Sequence, residues 1–286
     1  MTQLKDYATV EVVTVAADAS IDDAIKLLGE HHVRHLPVVR DGLPVGMVSE
    51  GDVLVAVGGV PSEQRVSSHD ATVCYAGPTV VEQIMTANIV TLSSEEPVAV
   101  AARVMLERQI SAVVLISNET VVGIVTETDY LRQFVDENTL LPHVYRQESV
   151  ASHMTTEIVT AAPTESAFTL MRRMSKRIRH LPVLDDGKLV GILSDHDVRR
   201  ALALDRIEQI TKPEERIRLM EKFDAEHIMN RNVKTTTPTA TLAQAAKQMI
   251  ENKIGGLPVI EASALVGIIT ETDLLRVCVN ADRDSS

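Results

Sequence analysis

The segments "VGIVTETDYLR" (residues 122–132) and "VGIITETDLLR" (residues 266–276) are almost identical, although they lie far apart in a chain of 286 residues. Two further segments carry the same landmarks, since "VGMVSEGD" ends at Asp52 and "VGILSDHD" ends at Asp197. Each copy contains Val-Gly, two residues, Ser or Thr, two residues and Asp. Internal repetition of this kind decides the architecture, because every copy of a repeat folds as the same supersecondary unit.

Two other landmarks precede this motif in the same order. The segments "HLPVV" (35–39), "HLPVL" (180–184) and "GLPVI" (256–260) lie upstream of it at one fixed offset. The second copy reads "AVVLI" (112–116), with Val114 where the other copies have proline. A threonine at the end of a short β-branched run lies further upstream in every copy: Thr14, Thr91, Thr160 and Thr235.

The copies alternate between two types. Odd copies carry Arg-His before the Leu-Pro-Val segment, whereas even copies carry two small residues there and end in Thr-Glu-Thr-Asp followed by Arg. The unit that duplicated last was therefore a pair of repeats. The predicted organisation is a module at 1–135 (repeats at about 8–58 and 80–135), a linker at 136–149, and a module at 150–286 (repeats at about 150–204 and 225–279).

The pattern within one repeat predicts the order strand, helix, strand, strand, helix. In the first copy the run at 12–15 favours a strand, and Ser20 is a suitable N-cap for an amphipathic helix. A second strand, a hairpin turn at 41–42 and a third strand follow, and a second helix begins at Ser49. Because the three-stranded sheet of one repeat is too small to bury both of its faces, two copies should pack together. The sequence therefore predicts an α/β (α+β) fold of four β-α-β-β-α repeats in two pseudo-twofold pairs.

Charge and composition argue against several classes of protein. The net charge of −12 disfavours a binder of duplex DNA, which needs a basic face. Aromatic residues make up only 2% of the chain, so the stacking surfaces that bind single strands are scarce. No apolar stretch approaches the roughly 20 residues of a membrane span, and no signal-peptide pattern opens the sequence. Cys74 and Cys278 form no cluster, so we expect unpaired thiols in the cytoplasm.

No motif of a catalytic class is present, because the chain lacks G-x-S-x-G, a P-loop and a metal triad. We therefore expect that the protein is not an enzyme. His31 and His35 are four residues apart, but the helix should end between them, so this spacing does not predict a metal site. The segments 59–79 and 205–224, which separate the copies within a module, favour a loop and a charged, partly helical stretch respectively.

The repeated "LPV", the Val-Gly and Ser/Thr-x-x-Asp motif and the β-α-β-β-α order resemble the CBS-domain family, named after cystathionine β-synthase, over almost the whole chain. Paired repeats of that family form a Bateman module, and this chain looks like two such modules in tandem. It is similar to stand-alone regulators of the family and to the regulatory subunit of the AMP-activated kinase. The resemblance implies an energy-sensing regulator that binds ATP, ADP, AMP or a related adenosyl ligand, forms a homodimer and signals to a protein partner.

The resemblance also implies which residues contact the ligand, in composite clefts between paired repeats. The ribose would be bound by the motif aspartates: Asp52, Asp129, Asp197 and Asp273. The phosphates would be bound at helix starts and by nearby basic residues: Ser49, Thr126, Ser194, Thr270, Arg34, His35, Arg179, His180, Arg132 and Arg276. The adenine slot would be formed by strand threonines and small residues: Thr14, Thr91, Thr160, Thr235, Ser111, Ala112, Gly255 and Gly256.

These residue types suit a nucleotide, but each has an alternative role. A carboxylate can accept hydrogen bonds from both ribose hydroxyls, and a helix start attracts phosphate. However, Ser/Thr-x-x-Asp is also a capping box that needs no ligand. The Arg-His pairs could be solvated strand starts, and Arg132 and Arg276 could pair with Glu127 and Glu271. For the whole protein, the alternative is a scaffold whose repeats only build a surface for dimerisation or docking.

Overall fold

The computed structural model describes residues 2–31, 33–57, 78–87, 89–137, 139, 141–174, 178–195, 197–198 and 221–284. Cys74 lies outside these residues. Most of the predicted loop at 59–79 and most of the predicted charged segment at 205–224 lie outside them as well.

The first module follows the predicted order of elements. Repeat 1 contains β1 (Val15–Ala16), α1 (Ile21–Glu30), β2 (His35–Arg40), β3 (Leu43–Ser49) and α2 (Glu50–Val57). Repeat 2 contains β4 (Thr86–Ala87), β5 (Thr91–Ser93), α3 (Val98–Arg108), β6 (Ala112–Ser117), β7 (Thr120–Thr126) and α4 (Glu127–Val135). A short helix, α5 (His143–Gln147), lies in the predicted linker.

The second module has the same plan. Repeat 3 contains α6 (Ala167–Arg173), β8 (His180–Asp185) and β9 (Lys188–Ser194), followed by helical backbone at 195, 197 and 198. Repeat 4 contains α7 (Ala225–Ile228), α8 (Leu242–Asn252), β10 (Gly256–Glu261), β11 (Ala264–Thr270) and α9 (Glu271–Asp284).

The first strand of repeat 1 is shorter than the sequence predicts. A strand is predicted over 12–15, but parallel pairing with β2 begins only at Val15. In repeats 3 and 4 the same position forms one parallel bridge each, from Ala161 to Val183 and from Thr236 to Val259. This segment pairs with one neighbouring strand and then turns into the helix N-cap. Only a few of its residues therefore form hydrogen bonds of the sheet.

The turn and helix start predicted for repeat 1 are confirmed. Asp41 and Gly42 have φ values of 52° and 81°, the left-handed pair that a two-residue hairpin turn requires. The Ser20 hydroxyl accepts a hydrogen bond from the amide of Asp23 at 3.1 Å, and Asp23 Oδ2 accepts one from the amide of Ser20 at 3.2 Å. This reciprocal capping box fixes the start of α1 where the pattern placed it.

The repeats pair as 1 with 2 and 3 with 4, because each repeat extends its first segment onto the sheet of its partner. Thr86 of repeat 2 pairs with Met47 of β3, and Thr9 of repeat 1 bridges Ile124 of β7. The equivalent bridges of the second module join Thr155 to Ile268 and Asn230 to Ile192. This exchange confirms the predicted arrangement of two pseudo-twofold pairs.

The glycine of the Val-Gly motif is required by the same exchange. A Cβ added at Gly46 would overlap the sulfur of Met85, which arrives from the partner repeat. Met229 and Met154 meet the corresponding glycines of repeats 3 and 4 in the same way. The repeated methionines are therefore packing residues that fix one repeat against the next.

The two modules share apolar cores through repeats 2 and 4. Leu131 and Phe134 of α4 are buried in one cluster with Leu242 and Met249 of α8. Leu275 of α9 is buried in another cluster with residues of α3. This packing brings the starts of α4 and α9 together at the centre of the molecule. No helix in the described ranges combines the length and apolar character needed to cross a membrane.

Candidate functional site

The four motif aspartates all close capping boxes at helix starts. Each Oδ2 accepts hydrogen bonds from the amide and the hydroxyl of the Ser or Thr three residues earlier, at 2.6–2.9 Å. The capping alternative is therefore confirmed at all four positions: Asp52, Asp129, Asp197 and Asp273. Since a carboxylate has about four acceptor positions, the cap still leaves lone pairs for another donor.

The second carboxylate oxygen distinguishes the even copies. Arg132 Nη1 donates to Asp129 Oδ1 at 3.1 Å, and Arg276 Nη1 donates to Asp273 Oδ1 at 2.6 Å. The two arginines thus pair with the aspartates and not with the glutamates that the sequence suggested. Burial raises the pKa of Asp273, although the Thr270 hydrogen bonds and Arg276 oppose this shift.

The first repeat offers a less occupied carboxylate. Asp52 is half-buried at the start of α2, and Val55 occupies the position where the even copies have arginine. Among the described residues, its recorded hydrogen-bond partners are all within the Ser49 cap. Asp197 has the same cap. Arg200, three residues after it and equivalent to Arg132 and Arg276, lies outside the described residues.

One cavity of ≈ 1550 Å³ is bordered by all four repeats. Three of the predicted ribose-binding aspartates line it, namely Asp52, Asp197 and Asp273. Asp129 and Arg132 are not among the described lining residues. The remaining predicted residues that line the cavity are Arg34, His35, Ser49, Ser111, Ala112, Thr126, Arg179, His180, Ser194, Gly255, Gly256, Thr270 and Arg276.

The strand threonines of the predicted adenine slot do not border this cavity. Thr14, Thr91 and Thr160 are absent from its described lining, and Thr235 borders a separate cavity of ≈ 380 Å³. The lining residues come instead from earlier in the same segments, because these residues cross onto the partner sheet: Thr86, Ile89, Val90, Thr155, Ile158, Val159 and Asn230. The polar residue that follows each repeated methionine, as in "MTANIV" and "MTTEIV", is the sequence signal that could have identified them.

The two predicted histidines line the cavity and contact the even repeat of their own pair. His35 Nε2 lies 3.3 Å from the Ser111 hydroxyl, and a Cβ added at Gly255 would lie 3.2 Å from His180 Cε1. Burial, with a smaller contribution from the neighbouring arginines, lowers the pKa of both histidines to about 4. At neutral pH they are therefore uncharged groups, and a phosphate would meet hydrogen-bonding imidazoles instead of cations.

The starts of α4 and α9 meet in a hydrogen-bonded central cluster, consisting of Arg34, Glu127, Thr128, Arg179, Glu271 and Thr272. Arg179 Nη2 donates to Glu127 Oε2 at 2.8 Å and to the Thr272 hydroxyl at 3.1 Å. The Thr272 hydroxyl in turn donates to Glu127 Oε1 at 2.8 Å. These contacts link repeats 2, 3 and 4 directly.

The other half of the central cluster has a weaker form of the same arrangement. Arg34 Nη2 donates to the Thr128 hydroxyl at 3.2 Å, and this hydroxyl donates to Glu271 Oε1 at 3.1 Å. Burial raises the pKa of Glu271, and the nearby charge of Glu127 raises it further. Sequence reasoning named Glu127 and Glu271 only as partners for the following arginines. It missed that Glu127 binds Arg179 of repeat 3 and that Glu271 accepts a hydrogen bond from Thr128 of repeat 2.

The described residues give no support to a metal site. His31 is exposed at the end of α1, whereas His35 is half-buried in β2. No group of three or more potential metal ligands occurs in this part of the chain. Cys278 is unpaired, and burial raises its pKa to about 12, so that its thiol is neutral.

Comparison with known proteins identifies relatives of similar length. A family model described as "CBS domain" matches this chain at residues 4–59, 81–136, 149–204 and 225–280. Uncharacterized protein MJ1225 of Methanocaldococcus jannaschii is 28% identical over 93% of this chain and 95% of its own. A 33.4 kDa protein of Thermofilum pendens is 27% identical over 91% of this chain and 86% of its own.

Solved structures show the same likeness. The crystal structure of MJ1225, proposed to be an archaeal homologue of g-AMPK, aligns with a TM-score of 0.75 and 26% identity over 96% of this chain and 99% of that one. A conserved protein of Pyrococcus horikoshii aligns with a TM-score of 0.61 over 96% of this chain and 99% of its own. At 22% identity, this second structure shows only that the fold is shared.

Proposed function

Because the chain belongs to the CBS-domain family, we propose that it is a regulatory protein that binds ATP, ADP, AMP or a related adenosyl ligand in its central cavity. The observation that carries the proposal is the cavity of ≈ 1550 Å³, bordered by three Ser/Thr-x-x-Asp helix starts. Pockets for small ligands commonly measure about 300–1,000 Å³. The space is therefore sufficient for more than one nucleotide.

Asp52 is the strongest candidate for the ribose contact. Its carboxylate borders the cavity together with Ser111 and Ala112, whose small side chains allow a flat base to approach the backbone. Its recorded bonds within the described residues use only the cap with Ser49. The arrangement suits a carboxylate that caps α2 and accepts from a sugar hydroxyl at the same time.

The phosphate end of the ligand is assigned to the centre of the cavity. Residues at the starts of α2, α4 and α9 line it, and helix starts present free amides and a positive dipole. Arg34 and Arg179 lie at the same centre. The likeness to MJ1225, itself proposed to be a homologue of g-AMPK, supports an adenine nucleotide as the ligand class.

Calorimetry with ATP, ADP, AMP, S-adenosylmethionine and NAD tests the proposal. We expect Asp52→Asn to lower the affinity for the ligand that binds beside this residue by at least about tenfold, because a hydrogen bond to a charged group contributes about 1.5–3 kcal/mol. Asp23→Asn is the matched control, since Asp23 closes the same kind of capping box with Ser20 at an exposed helix start. Folded protein that binds none of these compounds at millimolar concentration would refute the proposal.

The scaffold alternative is favoured by one observation, the closed capping box at every motif aspartate. It predicts that Asp52→Ala and Asp23→Ala lose similar stability, about 0.5–2 kcal/mol each, while no ligand binds. Light scattering would then measure whether the folded chain still forms a homodimer. The homodimer, the protein partner, the cytoplasmic location and the module boundaries at residues 135 and 150 stay predictions under both functions.

A further inference from the structure

The arginines at the centre of the cavity are already linked to carboxylates of the same chain, Arg179 directly and Arg34 through a hydroxyl. Arg179 binds Glu127 directly at 2.8 Å. Arg34 reaches Glu271 through one hydroxyl, that of Thr128. Arg179 therefore uses a donor on a carboxylate, and Arg34 uses one on a hydroxyl that itself donates to a carboxylate. A phosphate would otherwise receive these guanidinium donors.

The two carboxylates border the cavity although little of either is exposed. Glu127 is 4% exposed and Glu271 is 6% exposed, and both belong to the cavity lining. Charges in such surroundings interact more strongly than charges in water, because the effective dielectric constant is lower. A phosphate that approaches Arg179 must therefore compete with a carboxylate that water screens poorly.

The position of these acids is built into the helix starts of the even repeats. Glu127 and Glu271 are the first residues of α4 and α9, where amides would otherwise attract phosphate. Their reciprocal bonds with Thr272 and Thr128 hold them at the centre, at 2.8 and 3.1 Å. The acids therefore oppose phosphate both by repulsion and by occupying the donors.

We propose that Glu127 and Glu271 are specificity-determining residues that reduce the binding gained from each additional phosphate on an adenosine ligand. This inference rests on the proposed function and names the ligand feature that the cavity discriminates. Compared with the same cavity lacking these charges, adenosine compounds with one phosphate are favoured over those with three. The opposing interpretation is that the cluster only joins the helices, in which case its charge would not affect the ranking of ligands.

The test compares ligands that differ only in phosphate number. Adenosine, AMP, ADP and ATP are titrated calorimetrically into the wild type, Glu127→Gln and Glu271→Gln. Glutamine keeps the shape and one acceptor oxygen while removing the charge. We expect the ratio of ATP affinity to adenosine affinity to rise at least tenfold in Glu127→Gln, and several-fold in Glu271→Gln.

Glu165→Gln is the matched control, because Glu165 forms an ion pair with Arg173 and neither residue lines the cavity. It removes the same charge and an equivalent arginine contact, so the affinity ratio should stay within twofold of the wild type. Glu271→Gln guards against a folding defect, since its recorded bond is to the Thr128 hydroxyl and not to an arginine. A ratio unchanged in both cluster variants, with adenosine still bound, overturns the inference and leaves the proposed function standing.

Inorganic tripolyphosphate separates this inference from the proposed function. If no adenosine compound binds the wild type, but tripolyphosphate affinity rises over Glu165→Gln by at least tenfold in Glu127→Gln and several-fold in Glu271→Gln, the proposed function fails and the acidic discrimination holds. If the variants gain neither tripolyphosphate affinity nor a higher ATP ratio, the discrimination fails. Thermal unfolding of each variant identifies any loss that reflects structure alone.

Discussion

The two modules have nearly the same sequence plan, yet their arginines at the centre of the molecule differ in exposure and in bonding partner. In module 1, Arg34 is exposed and donates to the Thr128 hydroxyl. In module 2, the side chain of Arg179 is only 29% exposed and forms an ion pair with Glu127 of the other module. The equivalent positions are therefore not equivalent in energy.

The surroundings of the two cavity histidines show the same asymmetry. His35 contacts a serine hydroxyl, whereas His180 packs against the backbone of Gly255 and Gly256. The serine adds a polar group where the glycines leave room for the ring and for the carboxylate of Glu271. Because duplicated segments meet different neighbours, repetition in sequence ensures a common fold but not four identical binding sites.

The largest expected effect separates the two arginines. Arg179→Met should reduce the free energy of unfolding by about 3–5 kcal/mol, because it leaves the buried Glu127 carboxylate without its charged partner. Arg34→Met should cost less than about 1 kcal/mol, because Arg34 is exposed and makes a hydrogen bond to a hydroxyl. Urea unfolding measures both values. Equal losses would show that the two halves of the central cluster are energetically alike.

Acidification tests the two histidines that line the cavity. His35 and His180 have pKa values lowered to about 4, chiefly by burial, whereas an unfolded histidine titrates near 6.5. Between these pKa values the histidines are protonated in the unfolded chain but neutral in the folded chain. The free energy of unfolding should therefore fall as the pH drops from about 6.5 to 4. Each histidine should contribute roughly 3 kcal/mol to this loss.

The raised pKa of Glu271 acts in the opposite direction. The folded chain takes up a proton there at a higher pH than the unfolded chain does, so this group increases the stability of the folded state as the pH falls through its folded pKa.

Urea unfolding at pH 7 and pH 4.5 measures the contribution of the histidines, and it should show a smaller acid-induced loss in His35→Gln and His180→Gln than in the wild type. His31→Gln, at the exposed end of α1, is the control and should keep the full loss.

A smaller effect is expected when the residue beside one of the cavity histidines is changed. In Gly255→Ala the new Cβ would lie 3.0 Å from Glu271 Oε2 and 3.2 Å from the ring of His180, so neighbouring groups must shift. We expect a loss of about 1–3 kcal/mol. The reciprocal change, Ser111→Ala, removes a hydrogen bond to His35 and should cost about 1 kcal/mol. Thermal unfolding in which Gly255→Ala is neutral would contradict the close packing described for module 2.

Local patterns were sufficient to predict the repeats, their pairing and the helix starts. Ser20 before an amphipathic pattern predicted a cap, and the duplication of an odd-even pair predicted which repeats pack together. These features depend on residues close in sequence or on copying of one segment. They are therefore visible without knowledge of long-range contacts.

The cavity could be predicted only in part, because its walls depend on contacts between distant residues. The strand threonines looked suitable, but the earlier segment that includes Thr86 crosses to the partner sheet and reaches the cavity instead. Thr272 and Glu127 are bonded although 145 positions separate them. No local pattern specifies such a pair. The sequence therefore could not reveal that an acidic side chain forms an ion pair with a central arginine.

The smallest expected change in stability compares the two arginines that follow the even aspartates. Arg132 and Arg276 are both exposed and form similar ion pairs, so Arg132→Gln and Arg276→Gln should each cost less than about 1 kcal/mol. Only Arg276 lines the cavity together with its aspartate. Calorimetry should consequently find that Arg276→Gln changes nucleotide affinity severalfold, whereas Arg132→Gln leaves it unchanged. Equal effects of the two substitutions would mean that the clefts of Asp129 and Asp273 bind ligand alike, contrary to the inequality of the modules.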